Sequence, residues 1–485
     1  MQADRELRAS LLTELNESGF PQDSADQLAR WDPYDQNDVS PWFDQKYMFG
    51  VSDGFDVVIG NPPYISLQRN SKLGKLYMPV GYSTYTPSGD VYQLFYERGC
   101  ELLRRGGSLA YITSNSWLRA DYGKSLREFL TSSSTPLQLL DVGKDVFEAN
   151  VDTSILILQN QPNGNIKSFE GVDVDRFDDD IFPPPQKYWG QIRPRCGDTW
   201  RILTDIEWGI LEKMQEKGKP LKDWKGISIY MGIKTGYNKA FIVDTSTRES
   251  LIDEDYRSAE ILKPVLRGRD ILRYRANWDR RWLIAAHNGY GDIPPVDIGK
   301  YPAIKNHLDQ FYEKLSKRQD QGNTPYNLRN CAYHGSFSQE KLFLPQLAHQ
   351  GRCVLVDQSA VFCINNASII TGESLRFLCA ILNSQFITWF VRRTAKHWGD
   401  AGAKWLRTTI RTIPVPVPSN AVNESFARQV NRNHEANAPS SGRKDTRWID
   451  QVDCMVYSLY GCSTTKLSAV DDKTFYGCRF PRVSW

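Results

Sequence analysis

Apolar residues in the first third of the chain fall into short runs that alternate with stretches of helical spacing. Phe55-Asp56-Val57-Val58-Ile59-Gly60 is rich in β-branched residues and ends on glycine, so it predicts a short buried strand. Asp90 to Leu103 (DVYQLFYERGCELL) spaces its apolar residues three and four apart, and Gly106-Gly107 behind it reads as a helix stop. Ser108 to Thr113 then predicts a strand, Ser114 to Trp117 a polar turn and Gly123 to Leu130 a helix. Leu137 to Val142 and Thr153 to Leu158 predict two further strands. Alternation of this kind points to an open α/β sheet, whose ligands bind at the carboxyl ends of its strands.

Beyond Leu158 the pattern breaks. Gln161 to Asn165 is turn-rich, Asp173 to Asp180 is acidic, and Pro183-Pro184-Pro185 follows, so residues 161–220 are expected to be a linker. The other expected units are a lead helix and approach segment (1–50), an α/β unit (51–160), an α+β domain (221–420) and a helical C-terminal tail (421–485). Met1 to Ser18 is patterned as an amphipathic helix, and Trp448 to Tyr460 as a helix stopped by Gly461.

Composition adds exclusions. The 485 residues are 40% hydrophobic and 24% charged, enough for two cores. No run reaches the roughly 18 to 20 apolar residues of a membrane span, and the N-terminus is no signal peptide, so a soluble, cytoplasmic protein is expected. Nine cysteines without a C-x-x-C pair and six dispersed histidines predict neither a disulfide framework nor a metal site. A net charge of +3 says little about nucleic acid, and only its distribution can help.

The candidate chemistry lies at Asn61-Pro62-Pro63-Tyr64, directly after the first predicted strand. An exocyclic amino nitrogen is a poor nucleophile because its lone pair is delocalised into the ring. Two acceptors on its hydrogens localise that pair: the Asn61 side-chain oxygen and the Pro62 carbonyl, held by the stiffness of consecutive prolines. Tyr64 offers a stacking face. A base inside a duplex reaches such a pocket only when flipped out, at a cost of roughly a few kcal/mol. The same tetrapeptide also suits a plain Asx-Pro turn that caps a strand.

FDVVIGNPPYI, DVYQLF, GGSLAYITSNSWL and DVFEANVDTSILIL, in this order, resemble the second half of the catalytic domain of gamma-class N6-adenine DNA methyltransferases of type IIG restriction-modification systems. The resemblance implies a partial Rossmann-like methyltransferase sheet, with Asn61, Pro62, Pro63 and Tyr64 at the target adenine. It implies Phe147 as the second aromatic against the flipped base, where the residues alone equally allow a core phenylalanine. S-adenosylmethionine is the implied cofactor, and Asn61 the one position here that would touch it. The family's glycine-rich cofactor loop has no counterpart in the sequence. Truncation, a partner chain that supplies the missing strands, or loss of methylation each accounts for this.

Further along, GIKTGYNKAFIV and ILKPVLRGRDILRY, then Leu382-Asn383-Ser384, Trp389-Phe390 and Pro414 to Pro418, resemble a TaqI-like specificity domain. Eight Lys or Arg residues stand against three acids between Arg257 and Arg281, interleaved with Tyr274, Trp278 and Trp282. Such mixing suits phosphate contacts with stacking, and equally a solvated basic face. Lys234, Asn238, Arg267, Arg269 and Arg273 are the expected contacts to double-stranded DNA. Three functions follow: an adenine-specific DNA methyltransferase, a DNA-binding remnant or specificity half that needs a partner, and an amino methyltransferase acting on RNA or protein glutamine. Nothing supports a nuclease.

Overall fold

The computed structural model describes residues 2–18, 45–143, 147, 151–162, 166–174, 189–195, 197–357, 359–395, 403–436 and 447–462, with a few isolated positions between 22 and 43. Most of the approach segment from Trp31 to Asp44, the proline run at 183–185 and the tail beyond Cys462 lie outside the described residues. The patterned N-terminus forms a helix, Gln2–Glu17.

Six strands make a mixed sheet: β1 (Phe55–Gly60), β2 (Leu103–Ser114), β3 (Thr135–Gly143), β4 (Thr153–Gln159), β5 (Phe169–Asp173) and β6 (Trp189–Ile192), in the spatial order β1-β2-β4-β3-β5-β6. β1 is parallel to β2 and β3 to β5, whereas β4 runs antiparallel between β2 and β3. Helices Tyr92–Leu102 and Lys124–Ser133 supply Tyr96, Leu126 and Leu130 to a core with Leu109, Tyr111, Leu139, Leu156 and Leu158. The result is a mixed α/β architecture with a Rossmann-like methyltransferase sheet.

The glycine pair 106–107 does not stop a helix. The helix ends at Leu102, and β2 already begins at Leu103. These glycines let β2 pass close to β1, since a Cβ on Gly107 would lie 2.9 Å from the Phe55 carbonyl oxygen. Gly54, at φ +100°, makes the same approach from the other strand; a Cβ there would stand 2.4 Å from the Arg104 nitrogen.

β1 is an edge strand, and among the described residues nothing pairs with its outer side. Ile59 and Val57, on the face away from the two helices, are 74% and 59% exposed.

Residues 161–220 are not a linker. β5 and β6 complete the sheet, and the helix Asp205–Lys217, opened by a Thr204–Glu207 capping box, sends Ile210, Leu211 and Met214 into the core of the following domain. Two- to six-residue strands with weak periodicity, set between prolines, hide this from a pattern search. The helical tail is likewise no appendage: Phe426, Val430, Val452, Val456 and Tyr460 are buried in that same core. The rest of the second domain combines an antiparallel sheet, in which Lys341–Pro345 pairs with Val354–Val356 and Ala367–Gly372 and the latter with Ile227–Met231, and a second core around Leu262–Leu266 and Trp282–Ile284.

Candidate functional site

Parallel pairing of Val58 with Leu109 and Gly60 with Tyr111 fixes where β1 stops and so where Asn61 emerges, at the carboxyl end of the sheet. Asn61 is exposed and its amide has no hydrogen-bond partner among the described residues. Pro62 is buried and Tyr64 half-buried. The chain is then tied back by Val91 N to Ile65 O and Leu67 N to Gly89 O, both 2.9 Å.

The DVYQLF segment backs the tetrapeptide. Gln93, almost wholly buried, accepts from Asp90 N at 3.0 Å and donates to the Tyr122 carbonyl at 3.1 Å. Tyr122 donates to Asp90 Oδ2 at 3.0 Å and lies 3.3 Å from the Tyr92 hydroxyl. Tyr92 in turn meets the edge of Tyr64, with ring centroids 6.2 Å apart. Burial pushes the Tyr64 phenol up and that of Tyr122 to about 12, so both stay protonated at neutral pH. The Tyr64 hydroxyl is buried without a protein partner, an unfilled hydrogen-bonding position at this wall.

Phe147 comes to the other side of Tyr64. Their centroids are 6.5 Å apart at an interplanar angle of 69°, with Phe147 38% exposed. Two rings are thus in edge contact, one of them three residues past the Asn61 carboxamide. The neighbours of Phe147 at 144–146 and 148–150 lie outside the described residues.

The same strand ends bring together a polar group absent from the sequence reading. Asn115 donates to Asp141 Oδ1 at 2.7 Å, and Arg119 lies 3.6 Å from Asp141 Oδ2, with Asp141 buried. Thr153 and Ser154 hydroxyls are buried nearby on β4 without a hydrogen-bond partner among the described residues, opposite Ser114 and Thr113. Only the antiparallel insertion of β4 gathers these residues, so no local spacing betrays them.

The described residues fit a base more completely than a methyl donor. Asn61 supplies a carboxamide at the end of β1, but no strand with a glycine-rich turn lies beyond that edge among them. Nor do they contain a His, Cys, Asp and Glu cluster able to hold a metal, or a helix long and apolar enough to cross a membrane.

In the second domain the expected DNA contacts separate. Arg273 is not free: it donates to the Asn383 carbonyl at 2.9 Å and to the buried Asp453 carboxylate at 3.0 Å. Arg267 is held by Asp270 at 3.0 Å and by Asp279, its side chain only 16% exposed. Both are therefore structural. Arg269 is 71% exposed, Lys234 pairs with Asp320 at 2.8 Å while remaining 45% exposed, and Asn238 accepts from Thr235 Oγ1 at 2.6 Å. The aromatic interleaving also thins out. Tyr274 is core, and Trp282 lies beneath the Arg248 guanidinium at 4.0 Å, which leaves Trp278 as the exposed ring.

Residues 4–147 match the family described as Eco57I restriction-modification methylase, and residues 263–415 match the TaqI-like C-terminal specificity domain. The chain is 24% identical over 451 residues to the type II methyltransferase M.BstVI of Geobacillus stearothermophilus, covering 86% of this chain and 75% of that one. It is 23% identical over 487 residues to M.PaeR7I of Pseudomonas aeruginosa, covering 96% and 79%. Over 196 residues it is 30% identical to the restriction enzyme and methyltransferase RM.Eco57I of Escherichia coli, covering 39% and 19%. Its fold is similar to that of the type IIL restriction-modification enzyme MmeI solved with DNA, at a TM-score of 0.61 and 14% identity. That superposition covers 86% of this chain and 56% of MmeI, so the chain spans a little over half of that enzyme's length. With an Eco57I-like match over residues 4–147 and a TaqI-like match over residues 263–415, the chain is similar to type II restriction-modification methylases.

Proposed function

We propose that this protein is a site-specific DNA methyltransferase of a restriction-modification or defence system, which transfers a methyl group from S-adenosylmethionine to N6 of an adenine flipped out of the duplex. The observation that carries this reading is the convergence of Asn61, Tyr64 and Phe147 at the end of β1. The adenine ring enters between Tyr64 and Phe147, whose edge contact opens to admit it. Asn61 Oδ1 and the Pro62 carbonyl accept the two N6 hydrogens, which draws the nitrogen lone pair out of the ring and aims it outward. S-adenosylmethionine supplies the electrophilic methyl group. Donor-binding residues would be brought by further strands at the open edge of β1, from this protein or from a second chain. The specificity domain favours DNA over RNA or protein glutamine as substrate.

The open edge also favours a second reading, a DNA-binding specificity half that is inactive until its partner is present. Incubation with labelled S-adenosylmethionine and mixed-sequence DNA, with and without the partner, separates the two. Label on adenine N6 supports the enzyme. Binding of duplex DNA with label only when a partner is added supports the second reading, and no label under either condition sinks the first.

A further inference from the structure

We propose that the cleft between residues 288–295 and 330–332 of the specificity domain reads base edges in duplex DNA, with Asn323 and Asn330 as the reading side chains. The inference rests on the DNA reading above and extends it to particular groups. The cleft has a volume of about 500 Å³ and is lined by Asn288, Tyr290, Asp292, Ile293, Asn330 and Cys331, while Asn323 stands at its rim, joined to it through Asn288.

Asn288 organises it. Its amide nitrogen donates to Asn323 Oδ1 at 3.0 Å and to Asn330 Oδ1, while its own oxygen accepts from the Asn323 backbone at 2.7 Å. Asn288 is thereby saturated, and the two exposed asparagines are each held by the oxygen. Their NH2 groups have no protein partner among the described residues. Donors fixed in this way match the O6 and N7 acceptors of guanine, N7 of adenine or O4 of thymine on the major-groove edge. Asp292 adds an acceptor suited to the amino group of cytosine or adenine.

The surroundings are rigid and carry charge of the right sign. Tyr290 stacks on His334 at 4.6 Å, and His287 packs within 5.0 Å of both. The loop folds on itself through Tyr290 and Ile293, bonded backbone to backbone at 3.0 Å in both directions. Beside it Lys234 and Arg329 share the single carboxylate of Asp320, at 2.8 and 3.1 Å, and both cations stay about half exposed. Two cations on one acid leave a net positive charge next to the cleft, which suits the phosphates that flank the bases read. An amide staple that merely closes three loops would need neither outward donors nor neighbouring cations.

The test is selection of bound duplexes from a random-sequence library by the full-length protein, with thermal unfolding followed in parallel. The wild type is expected to enrich a defined motif. Asn330→Ala and Asn323→Ala should each relax preference at one position by about tenfold, with overall retention and melting temperature unchanged. Asn330→Asp keeps the oxygen that Asn288 holds and replaces the donor with an acceptor, so it should move the preferred base towards one with an exocyclic amino group. Variants that enrich the wild-type motif unchanged would overturn the inference while leaving the DNA reading intact. Loss of melting temperature together with all binding would reduce the network to a staple and also overturn it. A wild type that enriches no motif would instead remove the reading on which it rests.

Discussion

Asn61 combines exposure, a free carboxamide and a place at the end of a parallel strand, and on these grounds the proposed reaction is assigned to it. Asn61→Ala is expected to lower methyl transfer roughly 10²- to 10³-fold, as for loss of one preorganised polar contact, with DNA binding retained. Phe147→Ala removes a stacking face worth about 1 to 3 kcal/mol, and should raise the apparent KM for DNA more than it lowers transfer from saturated complex. Phe147→Trp should restore most of the loss, which a purely structural role would not do. Asn61 and Tyr64 were legible in the sequence because their motif is contiguous and follows a strand. Phe147 was reachable only through the family resemblance, since its place beside Tyr64 depends on how β3 returns. Arg273 was misread for a related reason: its partner Asp453 lies 180 residues away and leaves no local charge pattern.

At the scale of elements, the Arg273–Asp453 pair clamps the helix Arg447–Leu459 against the specificity domain. Burial pushes the Asp453 carboxyl up even though Arg273 pulls it down, so the pair is held in a dry site. Arg273→Ala should destabilise the protein by about 3 to 5 kcal/mol, because it leaves that carboxylate buried and unpaired. Arg273→Met with Asp453→Leu should recover much of it. Urea unfolding checks both. A second element-scale consequence concerns His334, whose ring is buried against Tyr290 and Phe362. Desolvation, with His287 adding to it, lowers its pKa from 6.5 to about 4. The unfolded chain therefore takes up the proton first as pH falls. Stability from this group is complete above pH 6.5 and is lost between there and about 4, up to roughly 3 kcal/mol. His334→Gln should flatten that part of the acid-unfolding curve. The first strands and helices were visible as apolar runs, whereas β5 and β6 were not, being short and set among turn residues.

For the whole molecule, the sheet that carries Asn61 at its carboxyl end has β1 as its edge among the described residues, with Val57 and Ile59 exposed. Ile59→Lys should change the stability of the isolated chain by less than about 0.5 kcal/mol, because the side chain is 74% exposed. If that edge is an association surface, Ile59→Lys should abolish self-association or association with an added chain, read by size-exclusion chromatography, while Asn61→Ala leaves it intact. The shared core of residues 205–217 with the C-terminal helices was not legible in the sequence, since contacts across such separations follow from the tertiary fold alone. The most direct test of the central claim is transfer of label from S-adenosylmethionine to mixed-sequence duplex DNA by the protein, alone and with a candidate cofactor-binding chain added, followed by analysis of the modified base. The account predicts label on adenine N6 that falls at least a hundredfold in Asn61→Ala. Label on another base, or undiminished adenine label in that variant, would contradict it.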